Sequence, residues 1–363
     1  MTSREDEILQ LIKSDPFIQQ QTIANLLNIS RSAVAVHIMN MTKKGIIRGK
    51  GYFIANQQYV VVIGGMNMDI LGQPDAAFIE RDSNPGKVKG SAGGVGRNIA
   101  ENLARLGTDV RLISVVGDDA YGDLVLKETK TAGVNISAVN QISNQTTSTY
   151  LSLLDNQGDM VAAVSDMSIL EHLNVGLLTQ HVELIRNAAA IIVDTNLSDT
   201  TLAYIFSKFA DKHIYLDSVS SAKAAKARPY LSRIHTMKPN LIEAQAISGL
   251  PLESESDIDD IAEWFIQHGV KRLFLTMGAD GVLYRTEYDE KLMRPLPVSV
   301  VNANGAGDAF LAGLVHSQLG GLSDVDACHF ASGCAAIALE HANTINPNIN
   351  ELLVQQRIED VPC

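Results

Sequence analysis

The sequence predicts an α/β protein: a mostly parallel sheet covered by helices on both faces with a small β lid, preceded by a separate unit whose body is all-helical. Three observations predict it. A continuous apolar run of strand length stands at 59–64, and similar runs recur at 110–116, 190–193, 213–216, 273–276 and 281–284; a continuous apolar run marks a strand buried on both faces. Helical patterns lie between several of them, at 97–106, 121–132, 179–187, 200–209, 258–268 and 309–319; strand alternating with helix is the mark of a parallel sheet. Residues 1–57 follow another plan, with three short helical patterns and a tight hairpin.

In that first unit, residues 5–13 place Ile8, Leu9, Leu11 and Ile12 at helical spacing with acids in the first turn, and Asp15-Pro16 breaks the pattern. A second helix fits 20–27, burying Ile23, Leu26 and Leu27. Asn28-Ile29-Ser30 makes the turn, and Ser30 or Ser32 caps a third helix running to about Lys44. Gly45 ends it, 46–54 reads as a hairpin with a basic tip, and Asn56-Gln57-Gln58 is a polar linker. The division is therefore 1–57 and 58–363. Within the larger unit, 72–92 and 145–165 do not fit the main sheet and read as strands standing off it, a lid from both stretches.

Of the 363 residues, 46% are hydrophobic and 19% charged, enough apolar material for a large core. No run approaches the ~20 apolar residues of a membrane helix, and the polar, acidic start does not read as a signal peptide. Cys328, Cys334 and Cys363 form no CxxC pair, which points to buried structural thiols rather than a metal site or disulfide framework. The expectation is a soluble, cytoplasmic protein with no membrane partner. The net charge of −12 divides into +3 for residues 1–57 and −15 for the rest. An acidic body does not draw nucleic acid by general attraction; the small basic unit could.

Two segments carry chemistry. Asn302-Ala303-Asn304-Gly305-Ala306-Gly307-Asp308 leads into an apolar helix. Glycines flanking a small residue let backbone N–H groups turn inward, and the helix adds its positive end, making an anion site suited to a phosphoryl group in transfer. Asp308 lies where a carboxylate could accept a proton from an attacking hydroxyl. The same segment also reads as a plain strand-to-helix turn with Asp308 as its cap. The second segment, Gly93-Gly94-Val95-Gly96-Arg97-Asn98, opens the helix that ends before Gly107. It lacks the third glycine of a dinucleotide turn, and alone it is weak. GxxxxGK[ST] is absent: Gly86-Lys87 is followed by Val88, and Arg81 stands at the first glycine position.

Together these segments resemble the ribokinase (PfkB) carbohydrate-kinase family. The first signature continues from Gly93 through Gly107 to Gly117-Asp118-Asp119-Ala120-Tyr121-Gly122, and the second ends at Asp308. Lys238-Pro239-Asn240-Leu241-Ile242-Glu243 is similar to the family's N-x-x-E element, Thr276-Met277-Gly278-Ala279-Asp280-Gly281 to its nucleotide loop, and Gly64-Gly65-Met66-Asn67-Met68-Asp69 to its substrate strand end. The resemblance implies a ribokinase-like fold and an ATP- and Mg²⁺-dependent phosphotransfer to a small nucleoside or sugar. Asp308 would be the general base and Gly305, Ala306 and Gly307 the anion hole. Asp69, Gly93, Gly94 and Asn98, with Asn67 a lesser candidate, would hold the ribose hydroxyls. Asn240 and Glu243 would organise the triphosphate and Mg²⁺, Glu243 through water, and Thr276, Gly278 and Gly281 would border the ATP. Each has a plainer reading: Asp69 capping a loop, Asn240 and Glu243 starting an ordinary helix after Pro239.

Two departures from the family pattern matter. Val95 stands where ribokinases commonly carry lysine, which argues against free ribose. Asn302 replaces the usual aspartate and leaves K⁺ dependence open. Three stretches are similar to the pseudouridine kinase branch: Asp82-Ser83-Asn84-Pro85-Gly86-Lys87-Val88-Lys89, residues 94–102, and residues 147–155 (Thr-Ser-Thr-Tyr-Leu-Ser-Leu-Leu-Asp). Other nucleosides or sugars such as inosine, guanosine, ribose or a ketose phosphate, and a transcriptional regulator using the fold as a sensor, are the competing readings. A homodimer is plausible because lid strands in this family often pair between subunits.

The N-terminal unit looks like a winged helix-turn-helix. If it binds DNA, Arg31, Ser32 and His37 would face bases, and Lys43, Lys44, Arg48 and Lys50 would approach phosphates. Ala33-Val34-Ala35-Val36 leaves few polar readers, so a protein-contact module or a relic is the alternative.

Overall fold

The computed structural model describes residues 2–44, 46–47 and 58–359. Helices α1 (Ser3–Ser14), α2 (Gln20–Leu27) and α3 (Arg31–Lys43) enclose their own apolar cluster of Ile8, Ile12, Ile23, Val34, Ile38, Met41 and Ile47. Thr2 and Glu5 form a capping box on α1, and Ser30 rather than Ser32 caps α3 by accepting from the Ala33 N–H. The hairpin and linker predicted over 46–58 lie outside the described residues apart from Ile46, Ile47 and Gln58.

The larger unit holds thirteen strands among its described residues: β1 (Val60–Ile63), β2 (Asn67–Pro74), β3 (Gly86–Gly93), β4 (Val110–Gly117), β5 (Asn135–Ile142), β6 (Thr149–Leu154), β7 (Met160–Asp166), β8 (Ala190–Asp194), β9 (Ile214–Asp217), β10 (Thr236–Met237), β11 (Arg272–Thr276), β12 (Val282–Arg285) and β13 (Glu290–Met293). Nine form one sheet in the order β13-β12-β11-β10-β9-β8-β1-β4-β5, parallel from β11 to β5 and antiparallel at the β11-β12-β13 edge. The alternation within β1 divides the core. Val61 and Ile63 face one apolar cluster, Val60 and Val62 the other, so helices cover both sides of the sheet. No described helix is long and apolar enough to cross a membrane.

The chain builds outward from β1 in one direction through β4 and β5, then returns to lay β8, β9 and β10 on the other side. That reversal opens a crevice at the carboxyl ends of β1 and β8, the place where open α/β sheets bind ligands. Strands β3-β2-β6-β7 form a second sheet that stands off the first. All seven residues of β7 and the first six of β3 are exposed, with Val88, Met160, Val161 and Val164 on that surface.

One predicted helix divides. Residues 179–187 fall across Val175–Gln180 and Val182–Arg186, broken at His181, whose φ of −113° and ψ of 15° leave the helical region. Cys328 and Cys334 are buried in the helix Asp324–Leu339, and burial pushes both thiols up, Cys328 to about 12. Cys363 lies outside the described residues.

Candidate active site

The helix α4 (Val95–Arg105) follows β3 directly, and its N-cap is Gly94 at φ 101°. Its first turn packs on the end of β1 through one buried carboxylate: Asp194, at the end of β8, accepts from the Gly65 N–H (2.9 Å) and the Gly96 N–H (3.1 Å). On the adjoining lid sheet, Asn67 is paired with Gly93, and its amide donates to Asp69. A Cβ at Gly93 would stand 2.1 Å from Asp69 Oδ2, so glycine is what makes room for that carboxylate. Asp69 lies within β2 and is no loop cap. Burial raises its pKa, opposed by the Asn67 hydrogen bond and the nearby Arg97 charge.

The second glycine-rich turn meets the first. Gly305, at φ 80°, is the N-cap of the helix Ala306–Leu319, and Asp308 is its third residue, not its cap. The Asp308 side chain reaches Asn98, whose Nδ2 donates to Oδ2 at 2.9 Å. Asp308 is buried, and its pKa is pushed up to about 8, by burial first and by Asp217 next, with Lys238 and Asn98 working against the rise. The turn's own Asn302 carboxamide is engaged locally, accepting from the Asn304 N–H and donating to the Ala342 carbonyl.

Lys238 is the group that motif matching left without a role. It follows β10, is buried, and stands 3.1 Å from Asp217 Oδ2, an ion pair outside hydrogen-bond angles. Burial opposes its charge, but Asp217, Asp308 and Glu243 outweigh that and leave its pKa raised. A Cβ at Gly307 would lie 2.6 Å from its ammonium, which places the ammonium against the first turn of the Ala306–Leu319 helix. Lys238, Asp217 and Asp194 carried one faint sequence signal: a charged residue closing an apolar run sits at the carboxyl edge of a parallel strand.

Asn240 and Glu243 form the capping box of the helix Leu241–Ser248, so the plain helix-start reading of these two is realised. Glu243 Oε2 also accepts from Ser218 at the end of β9 (2.8 Å), leaving Oε1 uncommitted. Thr276 adjoins them, its N–H donating to the Pro239 carbonyl, and the turn through Gly278 and Gly281 closes on a Met277 N–H to Gly281 carbonyl bond. No group of three or more His, Cys, Asp or Glu side chains able to hold a metal exists among the described residues. The uncommitted Glu243 oxygen suits a cation that keeps most of its water, the habit of Mg²⁺, and Asp217, Asp308 and Glu243 lie around the ammonium of Lys238.

In the N-terminal unit, Arg31, Ser32 and Lys43 are exposed and His37 is partly so. Lys44 is instead drawn back by both oxygens of Glu5 at 2.9 Å, tying α3 to α1, because Glu5 is buried and needs the charge. Arg48 and Lys50 lie outside the described residues.

Residues 57–351 match the model of the pfkB family carbohydrate kinases, and residues 6–48 that of a winged helix-turn-helix DNA-binding family. The chain is 41% identical over 351 residues to the uncharacterized sugar kinase YeiI of Escherichia coli (strain K12), covering 96% of this chain and 97% of that one. It is also 41% identical over 308 residues to the pseudouridine kinase of the same organism, covering 85% of this chain and 98% of the relative. A carbohydrate kinase from Agrobacterium tumefaciens superposes with a TM-score of 0.74 at 26% identity, over 84% of this chain and 98% of that one.

Proposed function

The chain belongs to the pfkB family of carbohydrate kinases and is a kinase of a nucleoside or sugar, and from that premise we propose that it phosphorylates the primary (5′-type) hydroxyl of pseudouridine. The observation that carries the reading is a single cluster in which Asp308 meets Asn98 on the acceptor side and neighbours Lys238, across Gly307, on the phosphoryl side.

In this reading the acceptor is held by Asn67, Asp69, Gly93, Gly94 and Asn98. Asp308 takes the hydroxyl proton, the hydroxyl oxygen bonds to the γ-phosphorus, and the bond from that phosphorus to the β–γ bridging oxygen breaks as ADP leaves. Backbone N–H groups of Gly305, Ala306 and Gly307, with the Lys238 ammonium, stabilise charge on the transferring group. Asn240, Thr276, Gly278 and Gly281 border the ATP. Mg²⁺ supplies neutralisation of the triphosphate, and Glu243 Oε1 is the protein oxygen that would hold it through water.

Pseudouridine is favoured over other acceptors by the 308-residue likeness and by residues 82–89 and 147–155, which lead into or include parts of the lid strands β3 and β6. The test is ADP release over pseudouridine, uridine, inosine, guanosine, adenosine, ribose and fructose 6-phosphate. Turnover confined to any other member of that panel overturns the choice of acceptor.

We assign residues 1–57 to a DNA-binding unit and 58–363 to the kinase, which fits a relative whose length is almost wholly matched by 308 residues. Arg31, Ser32, His37 and Lys43, with Arg48 and Lys50, would contact DNA; Val36 and Met39 occupy the exposed face of the same helix. A mobility-shift assay on upstream DNA at several salt concentrations decides, since phosphate contacts make affinity fall with salt. Absence of binding at low salt would return this unit to a protein-contact role. The exposed apolar side chains of the lid strands (Val88, Val161, Val164) are where a second copy would pair; Val164→Glu should convert a dimer to a monomer in light scattering.

A further inference from the structure

We propose that Arg97 is a positioning residue, whose guanidinium fixes the orientation of the Asn98 amide and thereby holds one oxygen of Asp308 as an acceptor. The inference rests on Asp308 being the base.

Arg97 is 4% exposed on the inner face of α4. Its Nη1 donates to the Ala92 carbonyl (3.0 Å) and to Asn98 Oδ1 (3.3 Å), its Nε donates to Thr129 Oγ1 (3.2 Å), and its Nη2 pairs with Glu101. Glu101 is held in turn by Arg105 Nε at 2.8 Å. An amide can present either end to a neighbour, but a guanidinium has donors only. The Asn98 atom beside it must be the oxygen, so the NH₂ must face Asp308. A flipped amide would set donor against donor at Arg97 and oxygen against oxygen at Asp308, and both ends are buried where such pairs are costly.

The consequence for chemistry is specific. With Asp308 Oδ2 accepting from Asn98, the second oxygen is left to receive the proton of an acceptor hydroxyl. The same guanidinium holds the carbonyl of Ala92, next to Gly93, and its charge reaches Asp69. One buried cation therefore orders both the acceptor-binding strand end and the base. The charged groups around Asp308 are Asp217, Lys238 and Asp194, and those around Arg97 are Glu101, Glu128, Arg105 and Asp69, so the amide is the link between two otherwise separate charge clusters.

The experiment compares pH profiles of kcat/KM for wild type, Arg97→Lys and Arg97→Gln, with pseudouridine and Mg·ATP as the probes. Because the glutamine amide accepts as readily as it donates, Arg97→Gln frees Asn98 to flip; its acid limb should move up by about one pH unit, the size of one lost hydrogen bond to a charge. Arg97→Lys keeps a donor-only head group and should restore most of the wild-type midpoint. An Arg97→Gln profile that is lower but superimposable after scaling overturns the proposal, because a purely structural defect changes amplitude and not midpoint. Should Arg97→Gln misfold because Glu101 keeps only Arg105 as its partner, Arg97→Gln/Glu101→Gln removes both charges of the Arg97–Glu101 pair and is read the same way, and an unshifted Arg97→Lys midpoint together with a shifted double variant supports the assignment. Asp308→Asn separates the two claims: an active Asp308→Asn removes the base itself, whereas an inactive Asp308→Asn with unshifted Arg97 variants removes only the role of Arg97.

Discussion

Asn98 donates to Asp308 Oδ2 at 2.9 Å across 210 residues of sequence, and this contact joins the two glycine-rich turns into one site. It also sets the first prediction. Asp308 stands at about 8 in the free protein, chiefly through burial and the neighbouring Asp217. A base must be ionised, and kcat/KM reports ionisations of the free enzyme. The expected profile rises with unit slope toward a plateau above pH 8, with activity at pH 7 roughly tenfold below it. A profile flat from pH 6 to 9 would contradict the assignment of Asp308.

The same shift makes a stability prediction. Asp308 has a folded pKa raised above its ordinary value of 3.8, so between about pH 4 and pH 8 the folded state binds more protons than the unfolded one. Its contribution to stability is therefore greatest in acid and falls as pH rises through that window. Asp308→Asn removes the penalty. Its melting temperature should exceed that of wild type by a few degrees at pH 8.5, with the gap closing toward pH 4, while turnover drops by about 10²–10⁴-fold and ligand binding persists. A variant less stable than wild type at pH 8.5 would show that the carboxylate is not held under strain.

How much of this was legible in the sequence depends on what each element has to do locally. Strands β1, β4 and β8 are legible because both faces are buried and their residues are mostly apolar, with Arg111, Ser114 and Asp194 as the exceptions. The edge strand β5 is not, since Asn135, Ser137, Asn140 and Gln141 interrupt its pattern where one side of the sheet ends. The helix Asp324–Leu339 is not legible either: buried nearly all round, its Ala, Cys and Phe residues show no 3.6-residue stripe. At the site, the glycine turns with Asp308 and Asn98 could be read because each motif is contiguous. The charges of Asp194, Asp217 and Lys238 could not, because only the parallel register of β8, β9 and β10 brings three separate strand ends together.

That charge cluster makes the third prediction. Lys238→Met leaves Asp217 buried without its counter-charge and should destabilise the fold by about 3–5 kcal/mol, measured by urea unfolding. Lys238→Met/Asp217→Asn removes both charges and should recover most of the loss. Activity should not return with stability, because in the proposed reading the ammonium stabilises the transferring phosphoryl, and it also opposes the rise in the Asp308 pKa. A double variant that regains both would reduce Lys238 to a partner of Asp217 and nothing more.

Two alanine substitutions should divide the site into its halves. A Cβ at Gly93 meets the Asp69 carboxylate at 2.1 Å, and a Cβ at Gly307 meets the Lys238 ammonium at 2.6 Å. In both cases the obstruction is the end of a side chain, so the fold should tolerate the change while the side chain is displaced. Gly93→Ala moves an acceptor ligand and should raise KM for the nucleoside about tenfold or more, on the scale of 1–3 kcal/mol for overpacking, with KM for ATP unchanged. Gly307→Ala moves the phosphoryl-side cation and should instead lower kcat and raise KM for ATP, leaving nucleoside KM near its wild-type value. Initial rates with each substrate varied in turn distinguish the patterns. If Gly93→Ala altered ATP and Gly307→Ala altered the nucleoside, the acceptor and donor ends of the cleft would have to be exchanged, and with them the direction in which Asp308 receives its proton.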